Sequence, residues 1–295
     1  MAANAATERA GRPGSIPMSA LIRIDSQPGR ERPLVIACLA MLVAICWACL
    51  VFRALRIAAF DAALADTLLN PSLPGRALSA LPPPYRAPEL VLVLATWGAM
   101  LSAITLPAAT PVILLFAHIT RVAHSVAQPV PQLARFPHVG TFFFVLGYLA
   151  VWSCFGALAT LAQWVLHDAG ALDTGMAFAN PSAGGLVLVA AGVYQWTPAK
   201  HACLQHCRAP LSFVVTGWRP GWPGALRMGA IHGLHCVGCC WLLVLLLFAA
   251  GVTHLGALLA LAGLVLSEKL LPGGPVAACV SGLALVAWGT LLLFP

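Results

Sequence analysis

The chain is 295 residues long, 60% hydrophobic and only 8% charged, with a mean hydropathy of +0.90. Soluble globular domains carry roughly 25% charged residues, so this chain has too few charges to clothe a water-facing surface, which excludes an ordinary soluble enzyme. Its formal net charge is +7, but the basic residues sit between apolar runs, so a lipid bilayer rather than nucleic acid is the expected partner.

Residues 1–33 combine Arg9, Arg12, Arg23, Arg30 and Arg32 with Glu8, Asp25 and Glu31 in a Pro-, Ser- and Gly-rich setting. Such a segment cannot bury enough apolar surface to order itself, and a disordered cytoplasmic tail is expected. A cleaved signal peptide is not, because no small-x-small site follows the first apolar run.

A spanning helix needs about 20 mostly apolar residues. Leu34–Phe52 meets that requirement. The stretch Ile57–Pro88, with Asp61, Asp66, Pro71, Pro74 and three consecutive prolines from Pro82, is the expected extramembrane loop. Leu90–Ala117 is the second span, with a kink expected at Pro107 and Pro111. Thr141–Leu166 is the third, and the shorter Gly184–Trp196 the fourth. Met228–Ser267 is too long for one crossing, and Gly251–Gly256 reads as the turn that divides it into spans five and six. Pro275–Phe294 is the seventh. The expected fold is therefore an all-α, polytopic transmembrane helix bundle of about seven spans, with residues 34–295 forming one domain.

Basic residues set the expected orientation. With the N-terminus inside, the tail arginines, Arg121, Arg135, Lys200, Arg208, Arg219, Arg227 and Lys269 all fall on the inner side. Arg53, Arg56, Arg76 and Arg86 alone fall outside, so the positive-inside rule favours a cytoplasmic N-terminus.

Two clusters carry the chemistry. The first, just after span four, is Lys200-His201-Ala202-Cys203-Leu204-Gln205-His206-Cys207-Arg208. Thr197 suits a helix cap and Pro198 a first turn, which would put Cys203 and Cys207 on one face. The second, opening span five, runs from His232 through His235 and Cys236 to Cys239 and Cys240. On a helix, His232, Cys236, Cys239 and Cys240 occupy neighbouring positions of one face. Spans four and six end, and span five begins, at the same membrane face, so both clusters and Glu268 are expected to meet in one layer. Thiolate is a soft ligand, and such a layer suits Cu(I), Zn(II) or an Fe–S cluster. A reducing cytoplasm keeps the thiols free for metal.

Other residues have plainer readings. Cys38, Cys46, Cys49, Cys154 and Cys279 are scattered single cysteines, expected to pack as small apolar residues. Glu268 and Lys269 border the membrane, where ionisable groups are costly unless paired or wet. Lys269 snorkelling to the interface, and Glu268 pairing with Lys269 or Arg227, are the structural alternatives to function. Tyr194 and Gln195 are expected to hydrogen-bond across helices. His118, His124 and His138 are expected to be solvated. No phosphate-binding Gly-rich loop and no Gly-x-Ser-x-Gly elbow occurs, so binding rather than catalysis is expected.

The motifs resemble those of a family of uncharacterised bacterial integral membrane proteins catalogued as predicted metal-binding. The resemblance covers about Leu90 to Gly274. It is strongest in Ala191-Gly192-Val193-Tyr194-Gln195-Trp196-Thr197-Pro198-Ala199-Lys200, then Cys203-Leu204 and Cys207-Arg208-Ala209-Pro210. It continues in Gly233-Leu234-His235-Cys236-Val237-Gly238-Cys239-Cys240-Trp241 and Glu268-Lys269. Gly147-Tyr148 with Trp152, and Trp97-Gly98-Ala99-Met100, add weaker support. The resemblance implies a multi-pass protein of the bacterial inner membrane whose cysteine clusters hold metal. The chain departs from the family pattern where methionines stand in relatives. It has Ile104 and Thr105 before Leu106-Pro107, Val244 after the Cys-Cys-Trp block, and Thr253 after the Gly-Val turn. That favours a thiolate site over a methionine-lined copper path.

The leading expectation is a membrane protein that handles a soft metal, Cu(I) above Zn(II) or Fe–S, in delivery, storage or transport. Cys203, Cys207, Cys236, Cys239 and Cys240 are the first candidate ligands, with His232, His235 and Glu268 next. A protein partner or metal chaperone fits that role. Nothing in the pattern specifies an oligomeric state. The alternatives are a membrane thiol-disulfide oxidoreductase using Cys236 and Cys239, and an accessory subunit of a membrane complex.

Overall fold

The computed structural model describes residues 31–69, 87–126, 137–173 and 175–294. Most of the expected tail, the proline-rich part of the first loop and the segment with Arg135 lie outside the described residues, as does the side chain of His124. Among the described residues the structure is helical, with an isolated antiparallel bridge between Leu172 and Phe178. In chain order the helices are α1 (Glu31–Leu69), α2 (Ala87–Val126), α3 (Pro137–Asp168), α4 (Pro181–Tyr194) and α5 (Pro198–Arg208). They continue as α6 (Pro210–Thr216), α7 (Gly221–Leu245), α8 (Leu247–Ala250), α9 (Leu255–Leu270) and α10 (Gly274–Leu293).

Five stretches are long and apolar enough to cross a membrane by length and composition. They are Arg32–Ala59, Glu89–Arg121, His138–Asp168, Gly221–Ala250 and Gly274–Leu293. The expected fourth and sixth spans are α4 and α9, with 14 and 16 residues, which is short of a full crossing. A count of seven therefore depends on these two short helices.

Two boundaries differ from expectation. α1 runs to Leu69, through the first part of the expected loop. Residues 57–69 are rich in Ala and Leu and contain no Gly or Pro, so nothing local stops the helix. α2 continues through Pro107 and Pro111, the positions of the expected kink. There the hydroxyls of Thr105 and Thr110 donate to the carbonyls of Leu101 and Leu106, four residues back. α7 starts at Gly221 rather than near Met228. Cys236 therefore lies well inside that helix, about 22 Å along the axis from its start, rather than at its opening.

The turn expected at Gly251 is present. α8 ends there, Gly251 takes a φ of 93°, and the His254 ring caps α9 by accepting from the Ala257 N–H at 3.1 Å. A φ in that range suits glycine, which has no Cβ to clash.

α2 is the interior helix, and Trp97, Met100, Leu101, Ile104 and Ile113 are fully or almost fully buried along it. α3 and α7 form the most extensive pair. A Cβ on Gly147 would strike the carbonyl oxygen of Leu226, and one on Gly229 that of Phe144, so the two backbones touch directly. α4 lies along α10, and α5 lies on α7. α1 and α10 turn large apolar side chains outward, among them Met41, Phe52, Val276 and Leu291.

Candidate metal centre

α5 begins as its sequence suggests. Thr197 is extended, its side chain accepts from the Lys200 N–H at 3.3 Å, and Pro198 fills the first turn. The same hydroxyl donates to the Tyr194 carbonyl at 2.8 Å, fastening the end of α4 to the start of α5.

The cap turns Lys200 inward, where it is fully buried. Its Nζ donates to Glu268 Oε2 at 2.7 Å and also to Gln195 Oε1. Gln195 Nε2 donates in turn to Glu268 Oε1 at 3.0 Å and to Ser281 Oγ at 3.1 Å. At the other end of α5, Arg208 donates to the backbone carbonyls of Glu268 and Pro272. α5 is thus pinned at both ends to the C-terminal turn of α9. Glu268, expected among the ligands, has both carboxylate oxygens turned to Lys200 and Gln195. Its partner is neither Lys269 nor Arg227.

Lys269 does not snorkel. It is buried, and its Nζ donates to Cys236 Sγ at 2.6 Å. The Tyr148 hydroxyl lies 3.2 Å from the same sulfur and 3.3 Å from the Thr105 carbonyl. Successive residues on a helix point about 100° apart. α9 therefore sends Glu268 to α5 and Lys269 to α7 from one turn. Lys200, Lys269 and Glu268 leave one positive charge in excess among the fully buried ionic groups of this layer. The Cys236 sulfur, against Lys269, is placed to balance it.

Around Cys236 the thiols gather. Cys207, from α5, lies close enough to Cys236 and Cys239 for the three thiols to perturb one another. Cys239 Sγ lies 3.3 Å from Cys240 Sγ and donates to the Cys236 carbonyl at 3.1 Å. All four thiols are buried. Cys203, half-buried, sits at the rim against Gly238, where a Cβ would lie 2.8 Å from its sulfur. Tyr194 donates to the Gly238 carbonyl, closing that side. Burial pushes the Cys203 thiol above its ordinary pKa, with the Cys240 thiol adding to the effect. Cys207 is raised further, first by the neighbouring Cys236 thiol. A metal bound through these two must displace their protons.

The two clusters expected to converge do so, as five cysteines from α5 and α7. The histidines divide. His232 is buried one turn before Cys236, stacked against Tyr148, and its Nδ1 has no hydrogen-bond partner. His235 points instead to the rim, where it stacks on His206 with ring centroids 4.2 Å apart. Among the described residues no group of three or more His, Cys, Asp or Glu is already spaced to hold a metal ion. Cys236 is engaged by Lys269 and Tyr148, and Cys239 by a backbone carbonyl, so these sulfurs would have to turn to share a metal.

Sequence reasoning missed the role of Lys200 and the placement of Tyr148. Both stand in the motifs, but their roles depend on partners far along the chain. Cys38, Cys49, Cys154 and Cys279 are exposed on α1, α3 and α10.

A family model described as PpoB2, copper chaperone, matches residues 94–292, which takes in every side chain of this layer. No curated protein and no solved structure matches the chain.

Proposed function

The chain belongs to the PpoB2 copper-chaperone family, and from that premise we propose that it carries Cu(I) as cargo within the bacterial inner membrane. On this reading the thiols of α5 and α7 hold the ion, and a protein acceptor receives it. The carrying observation is the meeting of Cys207 from α5 with Cys236 and Cys239 from α7, beside the buried ammonium of Lys269.

The donor set favours Cu(I). Thiolates are soft ligands and select it. A monovalent ion between two thiolates forms a complex of net charge −1, which the Lys269 ammonium neutralises. A divalent ion in the same place would leave a positive charge uncompensated in a buried layer, where unpaired charge is expensive. Cys207 and Cys236 are the proposed ligand pair, with Cys239 and Cys240 beside them. Cys203 stands at the rim, and His232 offers its unpartnered Nδ1 one turn away. Glu268 serves as counter-ion to Lys200 and holds α5 in place.

The departures from the family's methionines fit this assignment. Thr105 hydrogen-bonds within its own helix, and its carbonyl lies within hydrogen-bond distance of Tyr148, while Val244 is fully buried in the core. The membrane reading rests on the five long apolar helices and the outward apolar faces of α1 and α10. Seven crossings with a cytoplasmic N-terminus would use α4 and α9 as short spans packed on α10 and α2. The thiol-disulfide alternative has less support, because the Cys239 thiol donates to the Cys236 carbonyl while the Cys236 sulfur is held by Lys269 and Tyr148.

Anaerobic loading of the detergent-purified chain with Cu(I), followed by elemental analysis after desalting, tests this. The wild type should retain copper in stoichiometric amount, and C207S/C236S should lose it. Equal retention by both would overturn the ligand assignment.

A further inference from the structure

His206 and His235 come from different helices, α5 and α7, and each is followed directly by a proposed thiol ligand, Cys207 or Cys236. The two His-Cys dipeptides face one another. At their outer level the imidazoles stack, with centroids 4.2 Å apart and planes inclined by 18°. At their inner level the two thiols are near neighbours. His206 is exposed and His235 half-buried, whereas both cysteines are buried.

Backbone contacts set the ring tautomers. His206 Nδ1 donates to the Ala202 carbonyl at 2.9 Å, and His235 Nδ1 donates to the Ile231 carbonyl at 2.8 Å. A carbonyl can only accept, so each Nδ1 carries the proton. Nε2 of each neutral ring then keeps its lone pair. This is the tautomer in which imidazole serves as a metal ligand, with the second nitrogen fixing the ring; the lone pairs lie in the ring planes, so the stacked rings must tilt toward one another to share an ion. Two such rings on separate helices, each next to a proposed thiol ligand, form a second donor layer at the more exposed edge of the cluster.

We propose that His206 and His235 form a landing site for Cu(I), distinct from the thiol site, from which the ion passes inward to Cys207 and Cys236. The proposal rests on the thiolate reading above. The step is ligand exchange without electron transfer. Bonds from copper to its incoming carrier are replaced by bonds to the two Nε2 atoms. Those give way to copper–sulfur bonds, and the Cys207 proton leaves to solvent. Imidazole is the weaker ligand for a soft ion, so the order histidine then thiolate runs downhill.

The test uses the full chain in detergent, loaded anaerobically from Cu(I) bis-bicinchoninate, with the carrier's absorbance followed in time. H206A/H235A should load more slowly by about tenfold, equivalent to about 1.4 kcal/mol in the barrier to loading. Its final copper content should match the wild type. C207S/C236S should bind Cu(I) weakly, with nitrogen donors visible by X-ray absorption, and those donors should vanish when H206A/H235A is added. Wild-type loading rates in H206A/H235A, or no nitrogen-bound copper in C207S/C236S, would overturn the landing site. Sulfur-bound copper persisting in C207S/C236S would instead overturn the choice of thiols.

Discussion

Two helix contacts in this chain are built from opposite materials. α4 meets α10 through glycines: a Cβ on Gly289 would lie 2.7 Å from the Gly185 carbonyl oxygen and 2.9 Å from the Val189 nitrogen. No ion pair and no thiol enters that contact among the described residues. A few turns away α5 meets α9 through Lys200, Gln195 and Glu268, all almost fully buried. Shape alone serves where the contact only has to hold. Charge appears where an element must be placed relative to chemistry, because α5 carries Cys203 and Cys207. A glycine contact tolerates small sliding, but a carboxylate bound on both oxygens sets both the depth and the rotation of its partner helix.

The sharpest way to break the comparison is to remove one charge. In E268Q, Lys200 is left buried without an anion. Neutralising a lysine at pH 7 from its ordinary pKa near 10.4 costs about 4–5 kcal/mol. Breaking a buried pair from one side generally costs about 3–5 kcal/mol. E268Q should therefore show the largest fall in thermal unfolding temperature in detergent. The paired replacement K200M/E268L, with no orphaned charge, should recover most of that loss. If E268Q unfolds like the wild type, charge does not position α5.

G289V probes the other contact. Its new side chain meets backbone atoms of α4, which cannot rotate away as a flexible side chain would. Overpacking of this kind costs about 1–3 kcal/mol. Gly289 is two turns from Gly282, the glycine that borders Gln195, so copper retention should survive in whatever fraction stays folded. A loss of copper out of proportion to the loss of folded protein would show that the two contacts are coupled.

What could be read in the sequence divides along the same line. Local features were legible. Thr197-Pro198 announces the start of α5, Gly251 marks the turn before α9, and the spacing of Cys236, Cys239 and Cys240 places them near one another on a helix. Each depends on residues within about one helical turn. The long apolar runs were also legible, although α4 and α9 are shorter than the spans expected there. The partnerships were not. Lys200 and Glu268 are 68 positions apart, Cys236 and Lys269 are 33 apart, and Tyr148 and Cys236 are 88 apart. No periodicity encodes which buried lysine meets which anion. Glu268 and Lys269 read as a pair because they are adjacent, and the helix separates them for that same reason. His206 was visible within its cluster, but only the fold shows that it stacks on His235.

Lys269 gives the smallest effect on stability and the finest test of what the charge is for. In K269M the partner left behind is Cys236, not a carboxylate. An ordinary thiol has a pKa near 8.5, so at pH 7 it becomes neutral by taking a proton at little cost. K269M should therefore unfold within about 1 kcal/mol of the wild type, unlike E268Q, where the orphaned group resists neutralisation. Copper should respond differently. The bound Cu(I) bis-thiolate would lose its neutralising ammonium, and an additional thiol proton would have to leave on binding. Cu(I) affinity should fall by at least about tenfold, or about 1.4 kcal/mol, in competition with a chromophoric chelator. Zn(II) should fall less, because a divalent ion with two thiolates no longer has a positive neighbour to repel it. A variant with wild-type preference for Cu(I) over Zn(II) would mean that Lys269 only fills space beside Cys236. A fold that stays intact while the preference shifts would mean that the charge matters to the cargo more than to the fold.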